Sequence, residues 1–167
     1  MIRTIPVFII SLFFYYTASG QQADSTLAKS PVKTLSDKQY NALLKGDDLY
    51  DMALPAELNH FPMPDKVIKF KKELDLSPGQ VKKIAAIATE LHRKRVEMGT
   101  FIIKNEQTLD NLFRKQRLNN GDLIFYATRS GLYYGELRNA ILQACLSTGD
   151  LMAPQQIKQL ETLQNHN

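Results

Sequence analysis

Of the three histidines (His60, His92 and His166), the methionines and the single cysteine of this sequence, His60, Met63, His92 and Cys145 are the ones a fold could gather around a soft or borderline metal ion. Imidazole, thioether and thiolate together suit Cu(I) or Zn(II). His60 and Met63 are neighbours, but His92 and Cys145 lie far from them in the chain, so a site requires the fold to gather the four. A short segment folded back on a long helix would bring His60 and Met63 to the level of His92. Antiparallel pairing about a turn at Asn120 would place Cys145 at a similar height. The plainer reading, which we favour, leaves His60 in a loop, His92 on a helix flank and Cys145 as a small apolar filler. No HxxxH pair is present, and no cofactor is expected unless zinc or copper draws these residues together. Cys145 is the only cysteine, so no internal disulfide forms, while a bridge between two subunits stays open.

Other chemistries find less footing. The sequence has no glycine-rich phosphate loop, no nucleophile elbow and no histidine–acid pairing at helical spacing, so no enzyme is expected. The formal charge of +4, or +3 once Arg3 is removed, does not point to nucleic acid. Lys66, Lys69, Lys71, Lys72, Lys82, Lys83, Arg93, Lys94 and Arg95 are consistent either with a solvated face or with a positive surface that steers acidic clients.

The elements that must position these residues are helical. The 167 residues are 44% apolar and 23% charged, with 8 glycines and 7 prolines, which suits one all-α domain. The first 20 residues read as a signal peptide: Arg3, then an apolar run from Ile5 to Tyr16, then Ala18-Ser19-Gly20 before a cleavage near Gly20/Gln21. That run is too short to span a bilayer, so the mature chain is expected to be periplasmic with no membrane span. Residues 21–35 read as a flexible tether. In 36–64 a short helix capped by Ser36 and closed by Gly46 precedes an ordered loop, and 65–167 form the main helical unit.

Within that unit a short helix is expected from Asp65 to Leu74, and then comes the strongest local signal. In Leu76-Ser77-Pro78-Gly79-Gln80, Ser77 caps a helix, Pro78 fits its first position, and Gln80 completes a capping box. From Val81 a heptad seam runs through Ile84, Ala88, Leu91, Arg95, Met98, Ile102, Asn105, Leu109 and Leu112, with two polar members. Asn119-Asn120-Gly121 reads as a left-handed turn, after which Leu123 to Leu151 keep the same rhythm. Two such helices joined by a tight turn are expected to pair antiparallel as an extended, coiled-coil-like hairpin. Met152-Ala153-Pro154-Gln155-Gln156 then repeats the first helix start, with Ala153 where a capping hydroxyl belongs.

These paired starts, at 76–80 and 152–156 with a helical hairpin between them, resemble the LTxxQ motifs of the Spy/CpxP family and of related periplasmic heavy-metal resistance and sensor proteins. Ala53 to Asn59 and Pro62-Met63-Pro64 resemble the segment that precedes the hairpin in that family, and the likeness covers Ser36 to Leu163. It implies a hooked four-helix hairpin, dimeric and cradle-shaped, with short flanking helices. It also implies an ATP-independent chaperone or envelope-stress protein that holds unfolded periplasmic proteins or meets a stress or metal sensor. The alternative it carries is a metal-binding sensor or resistance protein. Some of those relatives place histidines late in the second long helix, at positions matching Ile141 and Cys145. Ser77 and Ala153 depart from the motif's threonine.

The sequence offers one more candidate surface. Phe101, Ile102 and Ile103, and likewise Leu123, Ile124, Phe125 and Tyr126, are apolar around most of a helical turn, more than one seam requires. Phe101, Ile103, Ile124, Phe125 and Tyr126 are therefore expected to meet a second subunit or a client, or to be covered by the short flanking helices.

Overall fold

The computed structural model describes residues 27–165. The expected signal segment, the first part of the expected tether and His166 lie outside the described residues. Six helices and no strand are found among the described residues: α1 (Asp37–Lys45), α2 (Leu54–Glu57), α3 (Pro64–Lys69), α4 (Pro78–Arg114), α5 (Asn120–Gly149) and α6 (Pro154–Asn165). The chain is all-α, and none of these helices is long and apolar enough to cross a membrane.

Helix α1 forms where the caps dictate. The Ser36 hydroxyl accepts from the Gln39 amide, Gln39 reaches back to the Ser36 amide, and Gly46 closes the helix at φ 72, a left-handed conformation that glycine adopts without strain. The preceding residues are held too, which corrects the expectation of a flexible tether reaching residue 35. The Asn41 side chain donates to the Ala28 carbonyl (2.7 Å) and accepts from its amide (3.2 Å), while Val32 and Leu35 are buried in the main core. The polarity of this stretch hid two apolar anchors and a backbone tie to the buried Asn41 of α1.

The loop of residues 47–63 is ordered by Asp48, whose carboxylate accepts from the Tyr50 and Met52 amides. Helix α3 is shorter than the expected 65–74. It breaks at Phe70 (φ −106), and the chain turns through left-handed Asp75 (φ 47), which drives Leu74 into a second cluster with Val67, Ile84, Met152 and Leu160. That cluster seats α6 across the start of α4.

Helices α4 and α5 pack chiefly against each other, and their contacts run in opposite order. Gln80 at the start of α4 meets Leu151 beyond the end of α5, while Asn105 late in α4 meets Tyr126 and Ser130 early in α5. The connection differs from the expected asparagine–glycine turn. Its left-handed residue is Gln116 (φ 51), whereas Asn119 caps α5 by accepting from the Asp122 amide at 2.9 Å, so Asn120 and Gly121 fall inside the helix. A short amide side chain stabilises a helix start as readily as a turn.

The two repeated helix starts meet. Gln80 Oε1 accepts from the Ser77 amide (2.9 Å), and its Nε2 donates to the Leu151 carbonyl (2.8 Å) and to Gln156 Oε1 (2.9 Å). Gln156 in turn accepts from the Ala153 amide (3.0 Å) and donates to the Leu74 carbonyl (3.2 Å). Each glutamine closes its own helix start and tethers the other's.

Two predictions follow from this geometry. At α6 the capping box is half-built: Gln156 reaches back to the Ala153 amide, but Ala153 has no side-chain hydroxyl, and the Gln156 amide donates to the Ala153 carbonyl at 2.9 Å instead. Ala153→Ser should stabilise the fold by about 1 kcal/mol in a thermal or urea melt, and no gain would remove the capping role of that position. Glycines on the long helices should diverge: a Cβ at Gly99 would sit 2.0 Å from the Leu43 carbonyl oxygen, whereas one at Gly131 meets nothing within 4 Å. Gly99→Ala should therefore cost about 3 kcal/mol by forcing α1 off α4, while Gly131→Ala should gain about 0.5–1 kcal/mol of helix propensity.

Candidate functional site

A single amide aligns the middle of the molecule. Asn105, buried in the α4 seam, donates to the Tyr126 carbonyl (3.0 Å) and to Ser130 Oγ (2.9 Å). Ser130 donates to Glu106 Oε1 (3.1 Å), and Thr34 to Glu106 Oε2 (3.2 Å), so the N-terminal segment, α4 and α5 share one polar network. This network holds a groove of about 310 Å³, lined chiefly by Phe101, Lys104, Phe125, Tyr126, Arg129 and Tyr133.

The groove is aromatic and cationic. The rings of Phe101 and Tyr133 lie 5.4 Å apart, and Phe125 meets Tyr126 edge-on at 5.1 Å. The Arg129 guanidinium sits 4.9 Å from the Phe125 ring and 5.4 Å from the Tyr133 ring, and its Nε donates to the Tyr133 hydroxyl at 2.9 Å. Arg129 is thereby held within reach of both rings, at the distance at which a guanidinium and π systems attract. With neither carboxylate nor imidazole in its lining, the groove offers stacking, apolar contact and positive charge.

The expected surface residues divide. Phe101, Ile124 and Phe125 are exposed (37%, 59% and 49%) and Tyr126 is half-buried. Ile103 is the exception: it is buried in the main core with Val32, Leu35 and Leu43, so its place on an outer surface is corrected to intramolecular cover. The N-terminal segment, read as a tether, provides that cover. A second groove, of about 500 Å³, lies between α4 and α5 and was not foreseen; Ile87, Met98 and Ala140 give it an apolar floor, edged by Glu90, Lys94 and Glu136. Its sequence signal is the run of small residues at Ala86, Ala140 and Ala144, which leave space where a larger seam residue would fill it.

Of the four metal-ligand candidates the fold unites two. Met63 Sδ and Cys145 Sγ meet at 3.4 Å in the core, with Cys145 fully buried. His60 instead points to α6, its Nδ1 2.5 Å from Glu161 Oε1, and His92 is exposed on α4. Among the described residues no group of three or more His, Cys, Asp or Glu side chains is placed to hold a metal. The neighbour of the two sulfurs is a cation: Arg95, the other polar seam residue, puts Nη2 3.8 Å from Met63 Sδ and Nη1 3.5 Å from Asp65 Oδ2. Its Nε is buried with no hydrogen-bond partner. The sequence marked Arg95 as an interruption of the seam but did not show that it would sit beside Met63 and Cys145.

Burial, followed by the negative charge of Glu57, pushes the Cys145 thiol up to about 11 from its ordinary 9.0. The neutral thiol is thus the folded form at physiological pH, and the thiolate that reacts is suppressed. A thiol reagent should label Cys145 slowly in the folded protein and rapidly in urea. Because the folded value is the higher one, the contribution is complete below pH 9 and is lost as pH rises towards 11. Cys145→Ala should flatten the fall in melting temperature over that window, and an unchanged slope would show the thiol to be uncoupled from folding.

No family model, no curated protein and no solved structure matches this chain, so its likeness to the Spy/CpxP proteins rests on the two helix starts, their spacing and the segment between Ala53 and Pro64.

Proposed function

We propose that this chain is a periplasmic, ATP-independent chaperone or envelope-stress protein of the Spy/CpxP type, a binding protein and not an enzyme. In this reading α4 and α5 form an extended hairpin hooked by the short flanking helices, it acts as a homodimer, and it holds unfolded or partner proteins reversibly. The observation that carries the reading is the exposed aromatic–cationic groove of Phe101, Phe125, Tyr126, Tyr133, Lys104 and Arg129. Rings and a guanidinium that attract each other also suit many sequences, because stacking and cation–π contacts need little directional match. The apolar groove between α4 and α5 adds a second adaptable surface. Both lie along the α4–α5 pair and open to solvent, so an extended segment can enter either.

The paired glutamines fit this reading as architecture. They clamp α6 and the Leu74 turn to the start of α4, and α6 lines neither groove. The metal reading draws less support, since His60 and His92 are placed apart from Met63 and Cys145, and the Arg95 cation beside the two sulfurs opposes a second positive charge.

The test is aggregation of a chemically denatured client, diluted into buffer containing EDTA and followed by light scattering. Suppression at near-stoichiometric ratios is expected, and Phe101→Ser should weaken it several-fold while leaving the helical circular dichroism intact. Suppression that appears only when zinc or copper is added would transfer the function to metal binding. No suppression under either condition would sink the chaperone reading.

A further inference from the structure

We propose that the free end of the α4–α5 pair is a docking surface for an anionic lipid bilayer. The end consists of the last turn of α4, the connection 115–119 and the first turns of α5. It carries three exposed large apolar side chains: Ile124 is 59% exposed, Phe113 56% and Leu123 40%. All three lie within about two helical turns of the connection, given the 1.5 Å rise per residue. Arg114, Lys115 and Arg117 stand among them, exposed, and none of the three pairs with a carboxylate among the described residues. Of the two nearby acids, Asp122 is engaged by the Asn119 amide at 2.7 Å and Asp110 lies about one turn back along α4.

Shape and charge select the occupant. Among the described residues the flanking elements stop short of this end, with Thr34 meeting Glu106 as the outermost of their hydrogen bonds. Two helix ends and their connection therefore project as a convex knob, which suits a plane better than an extended peptide. Apolar side chains can enter the acyl boundary while arginine and lysine remain at the headgroup phosphates. Either end of a second copy is a poorer partner. Another free end would bring the same three cations, and at the opposite end Lys69, Lys71, Lys72, Lys82 and Lys83 outnumber Glu73, Asp75 and Asp150, with none of those lysines in an ion pair among the described residues. The local excess of positive charge is small, so neither term suffices alone, and binding should need both anionic lipid and the apolar residues. This proposal does not depend on chaperone activity.

The chain has no tryptophan, so a single one introduced at the free end reports unambiguously. With protein starting at Gln21, Phe113→Trp emission should shift to the blue on phosphatidylglycerol-rich vesicles and stay unchanged on pure phosphatidylcholine. Leu58→Trp, 71% exposed at the C-terminal end of α2, should not respond to either. In co-sedimentation, neutralising Arg114, Lys115 and Arg117 to glutamine should weaken vesicle binding on the order of a hundredfold, from about fivefold per cation. Leu123→Ser with Ile124→Ser should weaken it comparably, and melts of all variants check that folding survives. An unshifted Phe113→Trp, an equal response from Leu58→Trp, or unchanged binding after either set of substitutions would overturn the proposal. So would a Phe113→Trp shift on adding unfolded protein but not vesicles, or loss of dimer instead of lipid binding, which would give this end to a client or to a second subunit.

Discussion

Two long helices lying side by side can bury only a stripe of each, and everything else about this molecule follows from how the remaining circumference is covered. Helices of 37 and 30 residues extend about 55 and 45 Å, far more than the four short helices can sheathe. The cover is unequal. The N-terminal segment with α1, α2 and α3 lies over the middle, and α6 with the Leu74 turn closes one end. The consequence is visible in the seam itself: the last buried residue of α4 is Asn105 and the first of α5 is Leu137. More than half of α5 therefore runs without a fully buried side chain.

Where cover is present, alignment is fixed by amides more than by shape. An apolar heptad seam tolerates sliding by one repeat, because one Leu or Ile resembles the next, while a buried amide with a single set of partners does not. Asn105 fixes α4 against Tyr126 and Ser130, and Gln80 fixes the start of α4 against Leu151 and Gln156. Moving Asn105 by one turn would strand a buried amide at a cost of about 1–3 kcal/mol, and moving Gln80, which is half-buried, would break both of its cross-links. Arg95 plays a related part with a less complete set of partners, since Asp65 is reached only at 3.5 Å and its Nε is left unpaired.

How legible each feature was depended on whether its cause was local. The starts of α1 and α4 could be read to the residue, because the capping hydroxyl, the glutamine three positions on and, for α4, the leading proline are neighbours in sequence. The end of α3 could not, because Phe70 leaves the helix to deliver Leu74 to a cluster whose other members lie on α4 and α6. Ile103 was misplaced for the same reason: its cover comes from Val32 and Leu35, in a stretch whose composition resembles a linker. At the candidate site the exposed aromatics of α4 and α5 were legible as excess apolarity. The stacking of Arg129 on Phe125 and Tyr133 was not, although its spacing of four residues on either side is the one at which helix neighbours meet. The meeting of Met63, Cys145 and Arg95 needed three elements to be placed at once.

The gradient of burial along the helix pair is also a gradient of local stability. Segments with few buried contacts open at low free energy, well below global unfolding, and the first half of α5 is such a segment. Gly131 adds to this, since a glycine within an exposed helix costs about 1 kcal/mol relative to alanine. Both proposed uses of this region, holding clients in the groove and meeting lipid at the free end, draw on apolar side chains that water already surrounds. A partner must order them, and that ordering subtracts from the free energy of contact. Binding here should therefore be broad and readily reversed, with the rigid base around Gln80 and Gln156 keeping the fold intact while the opposite end adapts.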